Sequence, residues 1–347
     1  GELNTIRGKS VIIATGGAGK VYQFTTNAST CTGDGMALAY RAGVPLKDME
    51  FVQFHPTALP GTGILITEGA RGEGGYLINK NGERFLKRYT PEKMELAPRD
   101  LLSRALITEI RENRAFKGQY GAYLALDLRH LGEELISKKL PLVKEISENF
   151  AGVDPAKDLI PVRPGVHYSM GGVHVNVDGK TPIQGLFSAG ESACISLNGA
   201  NRLGSNSLSE CFVFGAITGK TAAEYAVNRK EGFENKKVKD LVMLEEKKIF
   251  DQLLGREETD ERISDIRNEL QKTMENHVGV YRNEKECFRA CKNVRELKKR
   301  FNKAGVTDKE RTFNTDLVSA LELEMMLDVA EAISHSALAR KESRGAH

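Results

Sequence analysis

The chain has 347 residues, 40% of them hydrophobic, and its 50 basic and 47 acidic side chains leave a net charge of only +3. That length accommodates roughly two or three structural units of about 100 to 200 residues with a sizeable buried core, and the balanced charge gives no reason to expect nucleic acid or an anionic membrane as a partner. No apolar run approaches the ~18 residues needed to span a bilayer, so any membrane association is expected to run through a partner. The five cysteines (Cys31, Cys194, Cys211, Cys287, Cys291) form no CxxC pair, and their odd number points to reduced thiols in a reducing compartment. Cys287 and Cys291, one helical turn apart, read as ordinary helix positions rather than as metal ligands.

The chain opens on Gly1, carries no signal-like segment and stops straight after a long helical pattern, which suggests a piece of a longer polypeptide. Lys9 to Gly19 (KSVIIATGGAG) reads as a buried parallel strand running into a tight turn at Ala14-Thr15-Gly16. Thr32 to Gly43 then reads as a helix opened by Asp34 and closed by Gly43; Asp34 at that start fits either a cap or a contact to a cofactor's polar groups. The full Gly-x-Gly-x-x-Gly fingerprint is absent, and Gly33 to Gly35 alone is a weak signal.

From Met49 the texture changes. FVQFHPT (Phe51–Thr57) alternates like a strand edge, and Gly63 to Leu77 packs Thr67, Glu68, Arg71 and Glu73 among glycines. Asn79 to Gly82 predicts a hairpin turn. A helix follows Pro98-Arg99-Asp100 to about Asn113, then a strand over Tyr123–Leu128 and a charged helix. Residues 49–165 are read as an inserted domain between two parts of an α/β domain, 1–48 and 166–230. In the second part, alternating strands run from Val166, with a turn at Asp178-Gly179 and a strand ending at Gly190-Glu191. From 231 onward the pattern is helical and charged, with Leu317, Ala320, Leu321, Leu323, Leu327 and Ala330 at helical spacing, as in a bundle of amphipathic helices.

The stretch Asn198–Glu210 (NGANRLGSNSLSE) organises the chemistry. It links a strand to a helix start, where small residues allow close backbone approach and free N–H groups with the helix dipole favour an anion, so it is a place to hold a phosphate-bearing cofactor. Arg202 in its middle can grip a carboxylate bidentately, and a glycine-rich loop with a surface arginine is the plainer alternative. His55, His167, Arg99 and Arg202 all stand in glycine- or proline-flanked loops; with Thr67 and Glu68 they offer enough donors for both ends of a dicarboxylate, each charge-assisted bond contributing roughly 1.5 to 3 kcal/mol.

The strings QFHPT (Gln53–Thr57), TEGARGEGGYL (Thr67–Leu77), GERF (Gly82–Phe85), APRDLLSRA (Ala97–Ala105), HYSMGG (His167–Gly172), GLFSAGE (Gly185–Glu191), NGANRLGSNSL (Asn198–Leu208) and SRGAH (Ser343–His347) span nearly the whole chain. In that order they resemble the flavoprotein subunit of succinate dehydrogenase and fumarate reductase. The resemblance implies an α/β fold (α+β overall): a partial Rossmann-like FAD-binding domain, an inserted capping domain and a C-terminal helical domain. It implies succinate–fumarate interconversion in respiration or the tricarboxylic acid cycle, with His55, Thr67, His167 and Arg202 on the dicarboxylate, Arg99 transferring the proton and Glu68 in its path. Ala14, Thr15, Gly16, Asp34, Glu191, Ser207 and Leu208 would contact the FAD. Electrons would pass to an iron-sulfur subunit and quinone. Attachment is expected through anchor subunits to the cytoplasmic face of the cell membrane, or the matrix side of the mitochondrial inner membrane. The family's amino-terminal part, with its dinucleotide fingerprint and the histidine of covalent flavin attachment, has no counterpart in the chain. L-aspartate oxidase, which shares similar HPT, RGEG, PRD and GANR motifs, is the alternative enzyme; a non-catalytic docking remnant is the alternative outside catalysis.

Overall fold

A computed structural model describes residues 2–229, 235–257 and 261–347. In chain order it begins with β1 (Val11–Ile13), α1 (Asp34–Arg41), β2 (Leu46–Lys47) and β3 (Val52–Ala58). The short α2 (Gly69–Gly72), β4 (Tyr76–Ile78), α3 (Arg99–Arg111), β5 (Phe116–Gly118), β6 (Gly121–Asp127), α4 (Glu133–Lys139) and α5 (Pro141–Ile146) come next. The long β7 (Ile160–Ser169) leads into β8 (Gly172–His174), β9 (Leu186–Ser188), β10 (Ala193–Cys194) and α6 (Asn206–Asn228). The rest is helical: α7 (Asn235–Glu246), α8 (Ile263–His277), α9 (Glu284–Phe301) and α10 (Thr315–Ala339).

Two cores divide the apolar residues. Leu59, Ile66, Leu77, Phe85, Leu102, Leu106, Leu124, Leu126, Ile160 and Val162 pack together, so the stretch between β3 and β7 closes on its own hydrophobic centre. The other core joins Met36, Val44 and Val173 to Leu270, Val294, Leu323 and Leu327, which binds the α/β part to the bundle of α8, α9 and α10. Asn283 and Asn314 start α9 and α10 by accepting the N–H groups of Glu286 and Leu317, each satisfying one orphan donor of the first turn. Cys287 and Cys291 are buried on α9 as apolar fillers. Among the described residues no helix is long and apolar enough to cross a membrane.

β3 and β7 pair antiparallel, and their register sets the site. Gln53 faces Tyr168 while Phe54 faces Val166, so His167 is the extra, unpaired residue of a bulge in β7. A bulge turns the local backbone and re-aims a side chain, here bringing the ring of His167 to 5.2 Å from that of His55 on the neighbouring strand. The second register shift, between His55 and Ala58, falls at Pro56, which has no N–H to give to a ladder.

Four sequence expectations need correction. β1 does pair parallel with β9, but among the described residues it has no second strand beside it, and Val11 and Ile12 are 52% and 42% exposed rather than buried. β3 lies at the end of its sheet yet all seven of its residues are buried, because the segment after it bridges back at Leu65 and helix α3 covers it. Asn79–Gly82 is a tight turn, with Gly82 N–H donating to Asn79 O, but it closes no hairpin: β4 pairs with β6, far along the chain. Asp34 does not cap α1; the N-cap is Gly33 at φ 85°, and the Asp34 carboxylate accepts the hydroxyl of Thr32 at 2.8 Å.

Candidate active site

His55 and His167 on β3 and β7 stand near Arg99, Glu68 and Arg202, with Gly204 of the Asn198–Glu210 stretch beside Glu68 and Arg99. His55 is fully buried. Its Nδ1 accepts the backbone N–H of Thr57 at 3.2 Å, and the Thr57 hydroxyl is occupied in donating to Ile66 O at 2.8 Å. A ring nitrogen that accepts carries no proton, so the neutral imidazole of His55 holds its hydrogen on Nε2, and Nε2 is buried without a partner. Burial, then the nearby His167, Arg99, Arg71 and Arg202, push the His55 pKa well below the usual histidine value. His167 Nδ1 lies 2.8 Å from the Thr26 hydroxyl, and burial with Arg99 and Arg202 lowers its pKa to about 3. Both rings are therefore neutral hydrogen-bonding groups at neutral pH.

The two arginines are held by one amide. Gln53, 1% exposed, accepts Arg99 Nη1–H on its Oε1 at 3.0 Å. Its Nε2 donates to Asn201 Oδ1 at 2.8 Å and to Arg202 O at 2.6 Å. Glu68 Oε2 receives Nε and Nη2 of Arg99 at 3.1 and 2.9 Å. Of the five guanidinium hydrogens of Arg99, three are thus engaged, and one on each Nη is left to point at a ligand. Arg202, 4% exposed, stacks over the Tyr168 ring with its Cζ 4.5 Å from the centroid, and its Nε has no partner. Burial and then Arg99 lower its pKa, the cost of holding two cations beside each other. The Tyr168 hydroxyl donates to Glu210 at 2.5 Å, and Asn198 Nδ2 donates to the same oxygen at 2.7 Å, which ties both ends of the loop under Arg202. Gly204 lies over the Arg99–Glu68 pair, where a Cβ would come within 3.7 Å of Glu68 Oε2 and 3.9 Å of Arg99 Nη2.

Several of these partners are absent from the sequence-based site. Gln53, Asn201 and Tyr168 were missed, and so was Arg71, whose buried guanidinium stands 3.7 Å from Glu68 Oε2 with Nε and Nη2 unpartnered. Burial brings the Arg71 pKa down to about 10. A glutamine two residues before His55, on the same side of an alternating strand, is the available signal. Thr67 is exposed, and its hydroxyl oxygen accepts Gly69 N–H at 3.3 Å.

The predicted cofactor residues gather on the other side of the loop. The Ala14-Thr15-Gly16 turn has Gly16 at φ 77°, and Gly17 lies so close to Glu191 that a Cβ would sit 2.2 Å from its Oε1. Thr15 meets the start of α1, since a Cβ at Gly35 would stand 2.2 Å from its Oγ1, and this brings Asp34 to the same edge. Glu191 accepts Ser169 N–H at 2.8 Å, and burial pushes its carboxyl up to about 7. Ser207 and Leu208 form the first turn of α6, Leu208 being exposed. A close-approach glycine turn, a proton-holding carboxyl, an uncovered apolar patch and a helix start fit a cofactor carrying both phosphates and a flat ring system.

Comparison with known proteins gives the family. A family model described as an FAD binding domain matches residues 1–208, and one described as the fumarate reductase flavoprotein C-terminal region matches residues 267–347. The fumarate reductase flavoprotein subunit of Mycobacterium tuberculosis is 51% identical over 358 residues, covering all of this chain and 61% of its own length. The succinate dehydrogenase flavoprotein subunit of Rickettsia bellii is 45% identical, covering all of this chain and 59% of its own. Among solved structures, a mutant form of Escherichia coli quinol fumarate reductase superimposes with a TM-score of 0.92 at 45% identity, covering 97% of this chain and 59% of that one. The chain thus spans about three-fifths of the length of these relatives.

Proposed function

The chain belongs to the FAD-binding flavoproteins of the fumarate reductase and succinate dehydrogenase family, and on that premise we propose that the protein carrying it interconverts succinate and fumarate, with Arg99 handling the proton. The observation that carries this reading is Arg99 fixed between Gln53 and Glu68, within electrostatic reach of two neutral histidines and of Arg202, whose Nε has no partner.

The residues divide the work by charge. Arg202 grips one carboxylate, the Nε2–H of His55 and the ring of His167 donate to the substrate's oxygens, and Thr67 at the rim closes the other end. Ala14, Thr15, Gly16, Asp34, Glu191, Ser207 and Leu208 would hold FAD, which when bound would supply the hydride chemistry of either direction. In fumarate reduction an N–H of Arg99 gives its proton to the carbon next to the one that receives the hydride, and Glu68 restores it. In succinate oxidation the proton leaves carbon for Arg99 and passes to Glu68. Free arginine is a poor base, so the transfer is a relay: Glu68, 47% exposed, takes the proton as it arrives and opens to solvent.

Membership of the family supports an iron-sulfur subunit as electron partner, a quinone beyond it, and peripheral attachment through an anchor subunit on the cytoplasmic or matrix face. It equally supports reading residues 49–165 as a cap that closes on the dicarboxylate and residues 166–230 as the return of the FAD-binding domain. The test is succinate oxidation by the flavin-loaded protein with an artificial electron acceptor, with L-aspartate offered in parallel. Succinate turnover that falls at least 10³-fold in Arg99→Lys while flavin is retained is the expected result. Turnover of aspartate instead would assign the site to an L-aspartate oxidase, and turnover of neither would point to a docking role.

A further inference from the structure

The string Ser343–His347 (SRGAH) takes no part in the chemistry above, yet it touches the loop that carries Arg202. Ala346 N–H donates to Ala200 O at 2.8 Å, two residues before the arginine. Gly345 has φ 51°, a conformation side chains rarely adopt, and a Cβ there would stand 2.5 Å from Ala200 O and 2.6 Å from Ala200 Cβ, so the space beside it leaves no room for a side chain unless Ala200 shifts. The methyl of Ala346 is buried with Phe51, Tyr168 and Met170, against Ala200. Tyr168 is the ring on which the Arg202 guanidinium rests.

A second arm reaches the same loop through side chains. Arg104 donates to Gly345 O and to Asp100 Oδ2, the latter at 3.1 Å. Asp100 Oδ1 accepts Asn201 Nδ2 at 2.9 Å, beside Arg202. The strap is itself anchored. Arg340 is paired with the buried Glu50 at 2.5 Å and lies over Phe51, while Arg282 donates to Glu50 O at 2.6 Å and to His347 Nδ1 at 3.0 Å.

We propose that Gly345 and Ala346 are positioning residues for dicarboxylate binding: they strap the Ala200–Arg202 loop to the end of the helical region, so that Arg202 meets its carboxylate from one fixed direction. A rigid guanidinium fork is useful only when its plane is set, and the strap fixes the main chain that bears it. This rests on the substrate reading given above.

The experiment compares wild type, Gly345→Ala and Ala346→Gly in the flavin-loaded protein, measuring the Kd for malonate, a short non-reacting dicarboxylate, by calorimetry, and KM and kcat for succinate. Flavin content and melting temperature serve as controls for the fold. Gly345→Ala is expected to weaken malonate binding and raise KM at least tenfold, with kcat changed less than threefold. Ala346→Gly, which deletes one methyl and keeps the backbone bond, should weaken binding about threefold and covers the case in which Gly345→Ala fails to fold. Removing the clashing methyl in the double variant Ala200→Gly/Gly345→Ala should recover part of the affinity. Variants that bind malonate as wild type does, or that lose kcat with KM and Kd unchanged, would overturn the strap alone. Wild-type protein that neither binds malonate nor oxidises succinate would overturn the substrate reading beneath it.

Discussion

Residue identity and residue environment carry different parts of the site. Arg99, His55, His167 and Arg202 stand out in the sequence because guanidinium and imidazole groups beside Gly or Pro suit a dianion, although of the four only Arg202 stands in a loop: His55 and His167 lie within β3 and β7 and Arg99 opens α3. Gln53 and Asn201 could not be found that way, since their importance lies in hydrogen bonds to residues 46 to 149 positions away. Replacing Gln53 by Leu keeps the volume but strips the partner from Arg99 Nη1, Asn201 Oδ1 and Arg202 O. A buried group left unpaired costs roughly 1 to 3 kcal/mol, so kcat/KM for succinate should fall about 10- to 100-fold or more while flavin stays bound. Steady-state kinetics on Gln53→Leu checks this. The protonation state of the histidines is also testable: nitrogen-15 NMR should find His55 neutral with its proton on Nε2, and neither His55 nor His167 titrating between pH 8 and pH 5. Because both folded pKa values lie below that of a free histidine, unfolded chains take up protons first as pH falls through about 6.5. These two rings therefore withdraw stability on acidification. Glu191 acts with the opposite sign. Its pKa is raised to about 7, so the stability associated with it is complete below the usual carboxylate range and is lost as pH rises through 7. Glu191→Gln should accordingly raise stability above pH 7 relative to wild type, by roughly 3 kcal/mol at most, and leave it unchanged near pH 4; urea unfolding at the two pH values measures it.

Elements were legible where period and punctuation agree. The spacing of Leu317, Ala320, Leu323, Leu327 and Ala330 predicts a helix, and α10 runs through all of them with Leu323, Leu327 and Ala330 buried against α8 and α9. Leu327→Ala in that core should cost about 2 to 5 kcal/mol by opening a cavity, read from the urea midpoint of the helical region. The misses come from contacts that local pattern does not encode. Apolar residues of β1 resemble a buried strand because in the interior of a parallel sheet they would be covered on both faces, whereas among the described residues β9 is their only strand partner. The turn at Asn79–Gly82 has hairpin chemistry, but the stretch after it, Phe85–Arg88, winds into a 3₁₀ turn. Arg88 there reaches the buried Glu109 at 2.9 Å. The bulge that re-aims His167 leaves no mark in the string HYSMGG, since an extra residue in one strand is defined only by its partner.

At the scale of the whole molecule, one face is uncovered. Val11, Ile12, Leu208, Phe212 and Val213 are all exposed on β1 and the adjoining α6, next to the glycine turn and Glu191. Contiguous apolar surface of this kind marks an interface or a ligand-binding groove, and relatives that this chain covers to about three-fifths have further chain to place somewhere. The chain on its own should therefore bind a hydrophobic dye such as ANS and self-associate with rising concentration, and Phe212→Lys should reduce both; light scattering and dye fluorescence measure this. The resemblance read from eight short strings supplied the family because those strings run along both regions in order, while geometry supplied what strings cannot, namely that the two arginines share one glutamine and that the last residues of the chain brace one of them. The measurement that bears most directly on the central claim is a crystal structure of the flavin-loaded protein with malonate or fumarate. One carboxylate should lie on Arg202, the Nε2 of His55 should fall within about 3 Å of a ligand oxygen, and a free Nη of Arg99 should approach the central carbons to about 3 to 3.5 Å. A dicarboxylate bound elsewhere, or bound here with Arg99 turned away from its carbons, would contradict the account.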